Sequence, residues 1–393
     1  MEKQRYHDMD WLRVGAFFLL MLYHCGMIFV GWDFHIMNPQ VLEEIQPPMI
    51  FLNQWRLPLL FAISGAGTWF ALRRRTLSQF AGERTLRLFL PLCFGMIFII
   101  PPQIYVEYRM KGVVDPGYWD FQLDVLKFVP YPDGGMFSWH HLWFVVYLFV
   151  FSLAAVPLFK YLRSDSGERK LTALRTWLAG SPWRLMAMAT PMAAVYLSMD
   201  WRWGETHGLI DDPAALTRYF TVFLLGFVVM GNVDIRQQAV QSRKIFLIAL
   251  ALVFVPQRWM VYNLSQGHWS FYVFYQIFKS CYCWFMILTL VGYSAKYLTR
   301  GNRFLTYANE AVYPYYILHQ SVMLVLAYWI VPLSWNPLAK FVVILLGMFG
   351  ISGLIYEGLI RRFSLIRPLF GLRIKPPKPK LESTHSSTSL ESA

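Results

Sequence analysis

Apolar stretches long enough to cross a bilayer recur along the whole chain, and they restrict it to one kind of fold. Backbone in hydrocarbon has no water to bond, so each such stretch must satisfy its own N–H and C=O groups as a helix. Ten candidate spans, each sized for a hydrocarbon core of about 30 Å, run from Trp11 to Val30, Ile50 to Leu72, Leu88 to Tyr105, His141 to Phe159 and Trp183 to Met199, then from Tyr219 to Val233, Ile245 to Tyr262, Phe271 to Tyr293, Val312 to Ile330 and Leu338 to Ile360. The expected fold is an all-α polytopic membrane protein, a bundle of about ten transmembrane helices. Only 15% of the residues are charged, against about 25% in soluble domains, which argues against a soluble fold.

The net charge of +13 would suggest nucleic acid in a soluble chain. In a membrane protein it is read by position, because Lys and Arg collect in cytoplasmic loops. With the N-terminus inside, the inner segments hold Lys3, Arg5, Arg73 to Arg75, Arg84, Arg87, Lys160, Arg163, Arg169, Lys170, Arg175, Arg236, Arg243, Lys244, Lys296, Arg300, Arg303 and the basic group from Arg361 to Lys380. The outer segments hold only Arg109, Lys111, Lys127, Arg202 and Arg218. That asymmetry fits an even number of spans with both termini cytoplasmic. The first apolar run is too long for a cleaved signal peptide and no small-x-small site follows it, so it reads as a true first span.

The chain divides into an integral-membrane domain, residues 1–372, and a tail, residues 373–393, basic and then Ser/Thr-rich, expected to be disordered. The basic segment from Arg73 to Arg87 is expected along the inner membrane surface. The long outer segment from Val106 to His140 suits a cap over the outer face. Cys25, Cys93, Cys281 and Cys283 all lie in apolar segments. They have neither a disulfide framework nor a zinc spacing, so no metal site is expected.

Polar residues inside spans mark function by default. Arg13 and His24 are eleven residues apart in the first span. Eleven helical steps are about three turns, so both side chains share one face, about 16 Å apart along the axis. His24 and Arg56 should lie at similar depth, about 9 Å below the outer boundary. His141 and Trp143 open the fourth span at its outer end, Arg258 lies near the outer end of the seventh, Lys279 in the outer half of the eighth and His319 near the middle of the ninth. A second group collects on the inner side: Asp10, Arg13, Arg73 to Arg75 and Glu357. Ser64-Gly65-Ala66-Gly67 provides small residues where a backbone or a thin ligand can approach closely.

Each feature also has a plainer reading. Lys279 can snorkel, Asp10 and Arg13 can simply pair, Glu357 can neutralise an inner arginine, and the Ser-Gly-Ala-Gly run can be helix packing. Together they are better explained by a water-accessible cavity. Basic groups at its inner mouth suit a phosphate-bearing ligand. An apolar passage leads outward along Arg13, Phe17, Leu20 and His24, and histidine is the side chain suited to moving a proton at neutral pH. Acyl-CoA fits that shape: phosphates inside, pantetheine threading outward through the membrane, thioester at His24.

The Arg-x10-His pattern at Arg13 and His24, preceded by Asp10, resembles the first-span signature of the membrane acyltransferase-3 family. Phe61-Ala62-Ile63-Ser64-Gly65 is similar to its F-x-x-S-G motif, and Arg84-x2-Arg87-x3-Pro91 to its basic entry into the third span. His141-Leu142-Trp143-Phe144, Gln257-Arg258, Asn309-Glu310-Ala311, Tyr316-Ile317-Leu318-His319 and Tyr356-Glu357 look most like the subgroup that succinylates periplasmic glucans. The chain departs from that subgroup's pattern at Ala66 and at Gln320-Ser321.

The resemblance implies a multi-pass acyltransferase of the bacterial inner membrane. It would move an acetyl or succinyl group from cytoplasmic acyl-CoA, a co-substrate rather than a resident cofactor, to a hydroxyl of an extracytoplasmic glycan. The catalytic group is expected to be His24 with Arg13 and Asp10. His24 acts as general base or, alternatively, as covalent acyl carrier. Arg56, Ser64, His141, Trp143, Arg258, Lys279 and His319 are expected on the substrate side, with Arg56 and His319 facing the oxyanion and Arg258 and Lys279 an anionic acyl group. Arg73, Arg74, Arg84, Arg87 and Glu357 are expected on the donor side. The expected partners are the bilayer, acyl-CoA and the carbohydrate acceptor, with no nucleic acid. The other reading of such a chain is a multi-span exporter or flippase of an anionic glycan or glycolipid precursor, although no internal repeat of the transporter kind is visible.

Overall fold

The computed structural model describes residues 6–114, 117–132, 135–264 and 269–374. The basic residues Lys3 and Arg5, and the tail from residue 375 onward, lie outside them. The described chain is helical, with no strand among the described residues.

Among the described residues, four helices are long and apolar enough to cross a membrane: Leu77–Met110, Val233–Met260, Trp269–Tyr297 and Pro337–Ile360. His140–Ala154 and Val156–Leu162, bent by 43° at their junction, form a fifth when taken as one. Other expected spans depart from a straight apolar helix for visible reasons. The first helix, His7–Met27, is diluted by Asp8, Asp10, Arg13 and His24. The helix Arg303–Ile330 carries Asn309, Glu310, His319 and Gln320. The second expected span is split at Gln54 and Trp55, leaving Arg56–Leu72 with 17 residues. The fifth is split between Pro182–Ala187 and Thr190–Met199. Polarity and breaks fall mainly on the helices that build the candidate site.

The basic segment expected along the inner surface instead runs straight into the third span. Thr76 opens that helix with a capping box, its hydroxyl accepting from Gln79 N while the Gln79 side chain accepts from Thr76 N. A π turn at Thr85–Phe89 then follows Arg84 and contains Arg87. Such turns redirect side chains within a helix, often at functional sites.

Glycines set the closest helix contact. A Cβ on Gly65 would overlap the Phe223 carbonyl, and one on Gly226 would overlap the backbone at Ala62. The helices Arg56–Leu72 and Pro213–Val229 therefore touch backbone to backbone. Arg175 closes the far end of the second helix, donating to the carbonyls of Phe227 and Val228 at 2.8 and 2.9 Å. The first helix lies against Arg56–Leu72, Trp269–Tyr297 and Arg303–Ile330, so Arg13 and His24 sit inside the bundle.

Candidate active site

Among the described residues, two cavities lie along the middle of the first helix, on its Arg13 side and on its His24 side, called inner and outer below; another, about 470 Å³, opens beside His7 at its start. The outer one, about 1060 Å³, is lined by His24, Arg56, His141, Trp143 and Lys279, among others. The inner one, about 290 Å³, is lined by Arg13, Ser64, Gly67, Arg75, Glu83, Arg84, Arg87 and Asn309 on its polar side. Between them, Phe17, Phe144 and Tyr316 pack ring against ring with centroids 5.3 to 6.1 Å apart.

His24 is held by His319. Its Nδ1 lies 2.8 Å from His319 Nε2, and His319 Nδ1 lies 2.6 Å from the Tyr316 carbonyl. A carbonyl oxygen only accepts, so His319 Nδ1 donates to it. In the neutral pair, His319 Nε2 then accepts, and His24 Nδ1 donates. This chain leaves the lone pair of His24 on Nε2, on a ring that lines the outer cavity. His319 itself is fully buried.

His141 has a different environment. Its Nε2 donates to the Ile317 carbonyl at 3.1 Å, and its Nδ1 accepts from Gln103 Nε2 at 3.3 Å. Both nitrogens are engaged, and its own carbonyl accepts from the Tyr316 hydroxyl. His141 braces the helix that carries His319.

Cations line the same cavity. Arg56 is buried, donates to Asn53 Oδ1 at 2.8 Å and lies 3.3 Å over the Tyr23 ring. Lys279 does not snorkel away: it faces Asp200 Oδ2 at 3.4 Å, beside Arg218. Arg218 in turn pairs with Asp200 at 3.2 Å and Glu205 at 2.6 Å. Burial works to raise the Glu205 carboxyl, but Arg218, His207 and Tyr219 outweigh it and hold the group below the usual carboxylate range. The following residues fold back over the cavity. His207 stacks on Trp143, centroids 4.1 Å apart, and Asp212 Oδ2 accepts from the backbone N–H groups of Thr206 and His207.

At the inner cavity, Arg13 bridges Asp10 at 3.7 Å and Asn309 Oδ1 at 3.2 Å. Ser64 Oγ donates to the Leu60 carbonyl, and Arg84 donates to Thr68 Oγ1 at 3.1 Å. Arg87 donates to the Gly371 carbonyl at 3.3 Å. The small-residue run serves both of its readings. Gly65 permits helix contact, whereas Gly67 faces the cavity, and a Cβ there would meet only Arg13, at 3.9 Å.

Ser64, expected on the substrate side, lines the inner cavity instead. Four more expected residues are placed elsewhere. Arg73 and Arg74 are exposed at the helix end, Glu357 pairs with Arg361 at 2.9 Å on the surface, and Arg258 does not line the outer cavity. Glu205 and His207 carry no expectation from the sequence, and Arg75, Arg218 and Asn309 carry none at the site: they stand there only as an inner basic residue, an outer basic residue and part of a motif. Polar residues within or beside apolar runs were the available signal for most of them.

Residues 6–357 match the family described as an acyltransferase domain. Two curated relatives carry the name glucans biosynthesis protein C. The protein of Escherichia coli O6:K15:H31 (strain 536 / UPEC) is 22% identical over 180 residues, covering 44% of this chain and 45% of the relative. That of Escherichia coli (strain SMS-3-5 / SECEC) is 22% identical over 182 residues, with the same coverage. The match spans less than half the length of these relatives. No solved structure matches.

Proposed function

Because the chain belongs to the acyltransferase-3 family, we propose that it is a membrane-embedded O-acyltransferase. It transfers an acetyl or succinyl group from cytoplasmic acyl-CoA to a hydroxyl of an extracytoplasmic glycan. The observation that carries this reading is the pair of cavities on one helix. The inner one is edged by Arg13, Arg75, Arg84 and Arg87, and the outer one holds His24 with a free Nε2 lone pair. The names of the two relatives support a glucan as acceptor. The topology that goes with this reading is about ten spans in a bacterial inner membrane, with both termini cytoplasmic.

The donor's phosphates lie against Arg84 and Arg87, and its pantetheine arm reaches past Phe17 toward His24. His24 Nε2 takes the proton of the acceptor hydroxyl as that oxygen attacks the thioester carbonyl. Arg56 faces the negative charge that develops on the carbonyl oxygen. The tetrahedral intermediate collapses, the C–S bond breaks, and the CoA thiolate takes the proton from His24. The products are the glycan ester and CoA–SH. His319 does not meet the oxyanion in this scheme, since both of its nitrogens are engaged; it positions His24. Asp10 holds Arg13.

The test is purified protein in liposomes given acyl-CoA and a β-glucan, with CoA release followed by thiol reagent and the glucan by mass spectrometry. His24→Ala should lower transfer by about 10²- to 10⁴-fold while the protein still inserts and elutes as a single species. Near-normal transfer in that variant overturns the reading. Glucan translocation without CoA release by the wild type would establish the exporter instead.

A further inference from the structure

Away from His24, three metal-binding side chains converge on the outer cavity. His35 lies in the loop after the first helix, Glu107 near the outer end of the Leu77–Met110 helix, and His140 at the start of the next spanning helix. One ligand atom from each falls within 4.8 Å of the others. The His35 and His140 rings stack with centroids 4.8 Å apart, and both line the cavity.

We propose that His35, Glu107 and His140 form a binding site for one zinc-class divalent cation. The donor set is two imidazole nitrogens and one carboxylate oxygen, which favours zinc-like metals over the all-oxygen cations calcium and magnesium. Three protein ligands with a fourth position open to the cavity is the arrangement of zinc sites that also hold water or substrate.

Two features point to a ligand. His140 Nε2 is a buried polar atom with no hydrogen-bond partner, although its Nδ1 is met by Ser138 Oγ at 2.8 Å. The backbone at His140 has φ 36°, a left-handed conformation that costs a non-glycine residue energy and persists where the surroundings impose it. That turn brings its ring against His35 and Tyr131.

Glu107 is prepared as a ligand. It is almost fully buried, and its Oε1 accepts from the Tyr131 hydroxyl at 2.8 Å and Lys111 Nζ at 2.5 Å. These outer partners fix the carboxylate and leave Oε2 for His35 Nδ1, 2.6 Å away. Such support around a ligand is the usual build of a metal site. On binding, the His35 proton moves to Nε2, and the cation replaces the hydrogen bond between Nδ1 and Oε2. Side-chain shifts of about an ångström bring the donors to the roughly 3.4 Å spacing of a tetrahedron with zinc bonds near 2.1 Å. The bound cation ties three separate segments together over the outer cavity.

The full chain in detergent, stripped with chelator, is titrated with ZnCl2 by calorimetry. It is also loaded with Co²⁺, whose visible absorption reports tetrahedral coordination. One equivalent should bind, with at least tenfold weaker affinity in both His140→Ala and Glu107→Gln, while His207→Ala binds as the wild type does. Thermal melting without metal identifies any variant that fails to fold. If Glu107→Gln does, His140→Ala alone decides. No saturable zinc binding by the wild type, or unchanged affinity in a folded His140→Ala protein, overturns the proposal.

Discussion

Replacing His319 with Phe keeps a ring in a fully buried position but removes the acceptor at Nε2. His24 Nδ1–H, 2.8 Å from that acceptor in the wild type, is then left unpaired. An unsatisfied buried donor costs about 1–3 kcal/mol. His24 escapes that cost by moving its proton to Nε2, the nitrogen assigned to take the acceptor's proton. At 1.4 kcal/mol per decade, the fraction of His24 with a free Nε2 falls roughly 5- to 150-fold. The full contribution of a general base is about 10²- to 10⁴-fold, so His319→Phe should fall between the wild type and His24→Ala. The loss should appear in kcat, measured by CoA release at saturating glucan. KM for acyl-CoA should hold, because the inner cavity is not touched. His319→Gln, which offers an amide oxygen toward His24, should recover part of the rate. A His319→Phe protein within twofold of wild-type kcat, or equal losses for Phe and Gln in folded protein, would refute the tautomer argument.

The two cavities predict separable effects. Arg84→Gln should raise KM for acyl-CoA by about 10- to 150-fold, the value of a hydrogen bond to a charged group of about 1.5–3 kcal/mol, with little change in kcat. Arg74→Gln, at an exposed position, should leave both unchanged in the same assay. Gly65→Val should cost more than the usual 1–3 kcal/mol of overpacking, because the atom it strikes is the Phe223 backbone carbonyl. Thermal melting in detergent should show that protein unfolding well below the wild type. Gly67→Ala, whose Cβ would make only an ordinary contact with Arg13 at 3.9 Å, should melt as the wild type does.

Much of the site was legible because helical periodicity is local. Arg13, Phe17 and His24 share a face for reasons contained in one helix, and the structure puts them along the two cavities. Basic residues near the inner ends of apolar runs likewise pointed to Arg84 and Arg87, which line the inner cavity. The His24–His319 contact was not legible as a contact, since 295 residues separate the partners, and helix periodicity says nothing about which faces meet. Arg73 and Arg74 were assigned to the donor by charge alone. The helix Arg56–Leu72 ends just before them, so they point to solvent while Arg75 turns inward to pair with Glu83 at 2.8 Å. Hydropathy marked the second and fifth spans as continuous, although the chain breaks within each. A break beside polar residues lowers mean hydropathy too little to be seen. His35 and Glu107 were missed because each is an ordinary residue of its own segment; only folding brings them to His140.

The aromatic cluster between the cavities bears on whether this protein carries a group or a whole molecule. Phe17, Phe144 and Tyr316 fill the space between the Arg13 side and the His24 side, and the inner cavity holds about 290 Å³. A glycan moving through would have to part those three rings. Helix displacement on that scale is opposed by the Gly65 and Gly226 contact, where two backbones already touch. A pantetheine arm, a single unbranched chain over most of its length, asks for a far narrower opening. An acceptor entering from the His24 side needs only the 1060 Å³ outer cavity with its Trp143 face. The dimensions therefore suit a reaction in which a small acyl group is handed across the barrier while CoA and glycan stay on their own sides. Widening the barrier with Phe17→Ala should ease entry of longer acyl chains. In the liposome assay, the rate with a long-chain acyl-CoA relative to acetyl-CoA should rise. An unchanged ratio would mean that the donor does not pass Phe17.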